Sequence, residues 1–128
     1  MNSATTNGIC IRVKPTYQAA YSRPVQDQYV FSYRVFIENQ SPDAVQLLRR
    51  YWIITDSLGR MEEVQGEGVI GEQPIILPGE VHSYDSFCPL STPFGTMEGT
   101  YLMQNRTNFS TFHAKIPRFK LESLVGLN

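Results

Sequence analysis

The sequence predicts an all-β fold, an antiparallel sandwich or barrel of about eight or nine short strands. Three observations carry that reading. Apolar and polar residues alternate with period two in segment after segment. No stretch sustains helical periodicity over three turns, and turn-forming residues recur every ten or so positions.

The first run alternates Ile9, Ile11 and Val13 with Cys10, Arg12 and Lys14, and Pro15 ends or bends it. "YVFSYRVFIEN" then sets Tyr29, Phe31, Tyr33, Val35 and Ile37 on one face, with Val30, Ser32, Arg34, Phe36 and Glu38 on the other. "QSPDA" supplies a turn. In "VQLLRRYWIITD" strict alternation groups Leu47, Arg49, Tyr51 and Ile53 against Leu48, Arg50, Trp52 and Ile54. "DSLG" reads as a hairpin loop before "RMEEVQ". After a glycine-rich stretch come "PIIL", a "PGE" turn, "VHSYDSF", the turn "STPFG", "TMEGTYLMQN", the loop "RTN" and "FSTFHAKIPRFKL". The expected core is Ile11, Val13, Phe31, Tyr33, Val35, Ile37, Trp52, Ile54, Val69, Ile76, Tyr101, Phe112 and Ile116.

A chain of 128 residues fits one domain, 1–128, with an ordered core over about 9–122. Residues 1–8 and 123–128 read as loosely held ends. Eleven basic residues against twelve acidic ones, spread along the chain, argue against nucleic acid or an anionic membrane as partner. No apolar run approaches the ~20 residues of a membrane span, and the start "MNSATTNGICIRVKP" lacks a secretory pattern. Membrane insertion is not expected and the cytoplasm is. In that compartment Cys10 and Cys88 are expected as free thiols.

"VQGEGVIGEQPIILPGE" holds Gly66, Gly68 and Gly71 in the spacing G-x-G-x-x-G. A dinucleotide fingerprint needs a helix starting at the glycines, aiming its N–H groups at pyrophosphate. Here Ile75-Ile76 favours extended chain and Pro78-Gly79 would end a helix within two turns. No acidic residue ~20 positions on closes a second parallel strand. That reading fails. A weaker one remains, an anion nest of backbone N–H groups around Gly66, Glu67, Gly68 and Gly71. Glu62, Glu63, Glu67 and Glu72 would repel phosphate there unless a cation such as Mg²⁺ intervened. The preferred reading is structural: the glycines allow positive φ or close packing in a strand-to-strand connection.

Other chemistry is poorly represented. His82 and Asp85, three apart on a strand, face opposite ways and cannot chelate one ion, and no H-x-H or C-x-x-C pair exists. Cys88 has no basic neighbour in sequence to lower its pKa, and no G-x-S-x-G elbow is present. No metal, cofactor or catalytic residue is expected. Trp52 shares a face with Arg50, and a core tryptophan is preferred to a stacked Arg–Trp pair.

Taken together, "VQLLRRYWIITDSLGR", "VQGEGVIGEQPIILPGE" and "STPFGTMEGTYLM", with "YVFSYRVFIEN" and "FHAKIPRFKL", resemble the ApaG family of small bacterial proteins over about residues 9–122. The resemblance implies an immunoglobulin- or fibronectin-III-like β-sandwich. It also implies an indirect link to cobalt resistance and magnesium efflux. Related domains in eukaryotic F-box and polymerase-interacting proteins are taken as protein-interaction modules. The family carries no established catalytic residues, and its glycine motif, proposed as a pyrophosphate site, maps to Gly66, Gly68 and Gly71. Two positions depart from the family's wording: Asp85-Ser86-Phe87 stands for "TSG" and Gly99-Thr100-Tyr101 for "GHY". A role resting on that histidine is therefore in doubt for this chain. The expectation is a non-enzymatic module with an unidentified protein partner, docked at an open sheet edge or at loops 64–74 and 91–96. It would be a monomer or a homodimer paired through an edge strand. The alternative is a Mg-dependent nucleotide or polyphosphate sensor, with a phosphoanhydride hydrolase a more distant third.

Overall fold

The structure, a computed structural model, describes residues 1–123. Nine strands run in chain order: β1 (Asn2–Thr6), β2 (Ile9–Tyr17), β3 (Tyr29–Asn39), β4 (Val45–Asp56), β5 (Met61–Glu67), β6 (Ile75–Ile76), β7 (Val81–Leu90), β8 (Phe94–Asn105) and β9 (Thr111–Glu122). They form two antiparallel sheets, β1-β2-β3-β7 and β5-β4-β8-β9, with β6 added beside β4. Short 3₁₀ turns at Ala19–Tyr21 and Pro24–Gln26 link β2 to β3. The predicted sandwich is present. Its sheets face each other because alternate residues of each strand are apolar and need a second layer to leave water.

The inward face of β3 is the predicted one, with Phe31, Tyr33, Val35 and Ile37 buried. Trp52 stands at the centre, edge-on to Tyr33 (5.3 Å between centroids), Phe119 (6.0 Å) and Tyr101 (6.2 Å). It is core, as preferred above, and packs on aromatic rings, not on Arg50. Of the expected core, Ile54 and Phe112 are only half-buried at its margin, while Ile9, Val45, Leu47, Met97, Met103 and Leu121 join it.

Two expectations require correction. Residues 1–8 do not form a loose end: Asn2–Thr6 pairs with β2 in the register Asn2↔Val13 to Thr6↔Ile9. Asn7 and Gly8 make the turn with φ of 48° and 79°, the pattern of a type I′ hairpin. The Asn2 side chain donates to the Arg118 carbonyl at 3.1 Å, and Lys115 N–H donates to Thr6 Oγ1 at 3.2 Å, tying β1 to β9. At the other end, Ser123 is buried and donates its N–H to Pro93 O; 124–128 lie outside the described residues.

The second correction concerns β4. Strict alternation separates Leu47 from Trp52, yet both are buried in the same core. The register against β8 shifts between Leu47 and Arg49, a β-bulge at Leu48. One extra residue resets the parity, so Val45 and Leu47 before it and Trp52 after it all turn inward.

Candidate functional site

The bulge at Leu48 also builds the seat of the glycine loop. Its carbonyl accepts the Gly68 N–H at 2.9 Å and the Gln73 side-chain amide at 3.0 Å. Leu47 N–H donates to Pro74 O at 3.0 Å and the Gln46 amide to Gln73 O at 3.0 Å. The chain after β5 therefore folds back along β4 and continues into β6 (Val45↔Ile76). No helix starts at Gly71, in agreement with rejection of the dinucleotide fingerprint.

Each glycine of the motif answers a different steric demand. Gly66 lies opposite Arg50, and a Cβ there would stand 2.7 Å from the Arg50 guanidinium. Gly68 has φ +59°, and a Cβ there would overlap the Glu72 carbonyl. Gly71 has open space around it but φ +74°, the left-handed region that glycine enters without strain. Val69 and Glu72 exchange both hydrogen bonds (2.8 and 3.0 Å), so Ile70-Gly71 is a two-residue hairpin tip with φ of 48° and 74°.

The electrostatics of this loop oppose a phosphate nest. Arg50 Nη1 donates to the carbonyls of Glu67 and Gly68, both at 3.0 Å. The loop thus gathers carbonyl oxygens about a cation, while the N–H groups of Gly68, Val69 and Glu72 are already spent. The Ile70, Gly71 and Gln73 amides lack a backbone acceptor in the loop. Glu62, Glu63, Glu67 and Glu72 are all exposed. Among the described residues no group of three His, Cys, Asp or Glu side chains is placed to hold a metal ion.

Arg50 has no carboxylate within 4 Å among the described residues. Its charge instead lies near the phenols of buried Tyr33 and Tyr101 and half-buried Tyr84. Burial pushes the Tyr33, Tyr84 and Tyr101 hydroxyls above their ordinary range, and Arg50 pulls each partly back. Tyr84 and Tyr101 share a short hydrogen bond across the sandwich. Cys88 is 2% exposed, and burial, with help from Glu62, pushes its thiol up to about 12. That is the reverse of a nucleophilic cysteine. Cys88 opposes Phe31 and Cys10 opposes Glu38 from the other side of β3, so the two are displaced by roughly 23 Å along the strand direction and both are free. Asp85 is committed to Arg34 through two bonds of 2.7 and 2.8 Å, which hold its carboxyl below the usual range.

The geometry adds one residue that sequence reasoning passed over. Ile70, at the hairpin tip, is 63% exposed in a left-handed conformation. For a β-branched side chain that conformation is strained. Ile75, Leu77 and Val81 in the following stretch are about half exposed. An isoleucine between Val69 and Gly71 reads in sequence as one more strand apolar, and only the turn geometry reveals its exposure.

The sequence profile described as the ApaG domain matches residues 19–105. "Protein ApaG" of Mesorhizobium japonicum is 48% identical over 122 residues, covering 95% of this chain and 93% of that one. "Protein ApaG" of Paramagnetospirillum magneticum is 48% identical over 123 residues, covering 96% and 94%. Among solved structures, a Bordetella pertussis protein described as ApaA superposes with TM-score 0.87 at 45% identity, over 89% of this chain and 92% of that chain. The X-ray structure of structural-genomics target SoR45 superposes with TM-score 0.88 at 43% identity, over 95% and 91%.

Proposed function

Since the chain belongs to the ApaG family, we propose that it is a non-enzymatic β-sandwich that binds a protein partner through the tip of its glycine hairpin. The observation that carries this reading is Ile70, a strained apolar side chain held out in water. Asn, Asp or Gly would occupy that turn with less strain. Strain kept at an exposed tip is a reason to look for a use there, and an apolar residue projecting from a rigid scaffold is what a partner's pocket takes as an anchor. The adjoining exposed Ile75 and Leu77 extend the same surface. The four glutamates around the loop favour a partner with basic groups beside its apolar pocket.

In this reading no catalytic residue is needed and the glycines are architectural: they seat Arg50, clear the Glu72 carbonyl and form the tip. Among the described residues no helix is long and apolar enough to cross a membrane. A part in divalent-cation homeostasis would therefore be indirect, through a cytoplasmic encounter with a transporter or its regulator. The test is capture from cell extract with the wild-type protein and Ile70→Asn side by side. A partner retained by the first and lost by the second is expected. Recovery of the protein alone, or equal capture by both, overturns the proposal.

A further inference from the structure

In the sheet β1-β2-β3-β7, the last strand pairs with β3 alone, in a register unbroken from Glu38↔Val81 to Tyr29↔Leu90. Pro89 fixes which backbone groups of β7 point away from β3. It has no N–H, yet the ladder continues on both sides of it, so Val30↔Pro89 is a pair without hydrogen bonds between its members. Bonded and unbonded pairs alternate in an antiparallel ladder. Val81, Ser83, Asp85 and Phe87 therefore also turn their N–H and C=O groups to the free side. The bond from Asn39 N–H to Glu80 O at 3.0 Å falls on a bonded position of the same alternation. Among the described residues no strand or turn pairs with that side.

The other edges are closed or blunted, and this one is not. β1 and β9 are tied together by the bonds from Asn2 and to Thr6. β5 displays Glu62, Glu63 and Glu67, all exposed, and like charges along an edge discourage pairing of two copies. Between Val81 and Cys88, β7 has no Lys, Arg, Pro or bulge. Its outward side chains there are Val81, Ser83, Asp85 and Phe87, with Val81 49% and Phe87 60% exposed. The one charge among them, Asp85, is already matched by Arg34 on its own sheet. Tyr21, itself exposed, stands edge-on to Phe87 at 6.4 Å, so the apolar surface continues beyond the strand. A long edge with its charge neutralised and apolar side chains outward is a template for another strand.

We propose that the strand added there is β7 of a second copy of this chain, the two pairing antiparallel about a two-fold axis at Tyr84. In that register Val81 lies opposite Phe87 of the partner subunit and Ser83 opposite Asp85 of the partner subunit, each pair occurring twice. The bonded positions are then Val81, Ser83, Asp85 and Phe87, the same four that Pro89 leaves facing out. Other registers are poorer. Centring on Asp85 sets two carboxylates side by side and gives Val81 a proline as partner. Centring on Ser83 or Ser86 sets the Asp85 carboxylate against Val81 or Phe87. A slip by one residue turns outward side chains against inward ones. Met61 and Glu62 line one hollow with Pro89 and Leu90, so β5 lies beside β7 in the other layer. The axis stands normal to the joined sheet, which brings the two acidic β5 strands toward each other and opposes the dimer at low salt.

Sedimentation of the full chain across a concentration series tests this. A reversible monomer–dimer equilibrium is expected below about 1 mM, tightened by added salt as the β5 carboxylates are screened. Phe87→Lys is expected to weaken association by about tenfold or more. Val81→Glu combined with Phe87→Lys in one chain should restore it, because this register sets the two new charges opposite each other on both sides of the axis. Phe109→Lys, at an equally exposed aromatic in the β8–β9 loop, leaves association unchanged. A monomer persisting at about 1 mM overturns the dimer, as does equal loss in the Phe109→Lys control. Failure of the double variant to recover association, or weakening by salt, overturns the Tyr84-centred pairing. Amide shifts of the dilute variants that match wild type except around the substituted residues show that the fold survives.

Discussion

The Arg50 guanidinium occupies the space that a side chain on Gly66 would need, and from there donates to the carbonyls of Glu67 and Gly68. An arginine and a glycine facing each other across two antiparallel strands thus lock the start of the hairpin. Gly66→Ala should displace the guanidinium and lose both bonds, destabilising the fold by about 1–3 kcal/mol. In an Arg50→Met background, with the guanidinium already gone, the same change should have a much smaller effect, below about 1 kcal/mol. Urea unfolding of the two singles and the double checks this, and simple additivity would refute the coupling.

The three glycines of the motif should not respond alike. Gly68→Ala meets both a positive φ and the Glu72 carbonyl, which is backbone and cannot step aside. A loss above about 3 kcal/mol is expected. Gly71→Ala has open space and meets only the left-handed conformation, so about 1 kcal/mol should suffice. Thermal unfolding of the pair gives the order directly. A phosphate-binding loop would instead reveal its glycines through ligand affinity with little regard to this steric ranking.

Ile70→Asn should raise stability. Asparagine tolerates left-handed φ better than a β-branched residue, and Ile70 is too exposed to lose much burial. The expected gain is about 0.5–1 kcal/mol, read from denaturant midpoints. A variant that folds better and captures less partner would separate strain kept for binding from strain of no consequence. A destabilised Ile70→Asn would mean that the isoleucine contributes to packing.

Alkali should unfold the protein more sharply than its net charge suggests. Tyr33, Tyr84, Tyr101 and Cys88 all have folded values raised above their ordinary 10.0 and 9.0, chiefly by burial. A raised value means that the fold holds the neutral form while the unfolded chain gives up its proton first. Their contribution is full below about pH 9 and declines above it, each group adding up to about 1.4 kcal/mol per pH unit in its own window. Of the seven tyrosines, these three should ionise only as the fold is lost, visible as a late cooperative step in ultraviolet absorbance. Removing one hydroxyl of the Tyr84–Tyr101 pair strands the other at a cost of about 1–3 kcal/mol, and the double Phe variant should recover part of it.

Legibility from sequence followed the range of the interaction. The faces of β3 and the central place of Trp52 were readable because alternation in solubility is recorded residue by residue along the chain. β1 was missed although Asn7-Gly8 is a hairpin signal, because Asn2–Thr6 carries no apolar alternation and is held by backbone pairing and two bonds to β9. In β4 alternation misled, since a bulge leaves no mark in a run that is apolar on both faces. For the candidate site, the helix-breaking chemistry after Gly71 excluded a dinucleotide fold. The exposed Ile70 tip remained out of sight.

The sequence by itself determined that this is a sandwich of short antiparallel strands, since period-two burial and frequent turns leave a chain of this length few other ways to hide its apolar face. Only the tertiary structure decided what the glycines serve and that Ile70 stands exposed at the hairpin tip. Those outcomes depend on which carbonyl the Leu48 bulge turns toward the loop, and on how Arg50 seats against Gly66. Both are settled by partners far away in the chain, whose distances no linear pattern records.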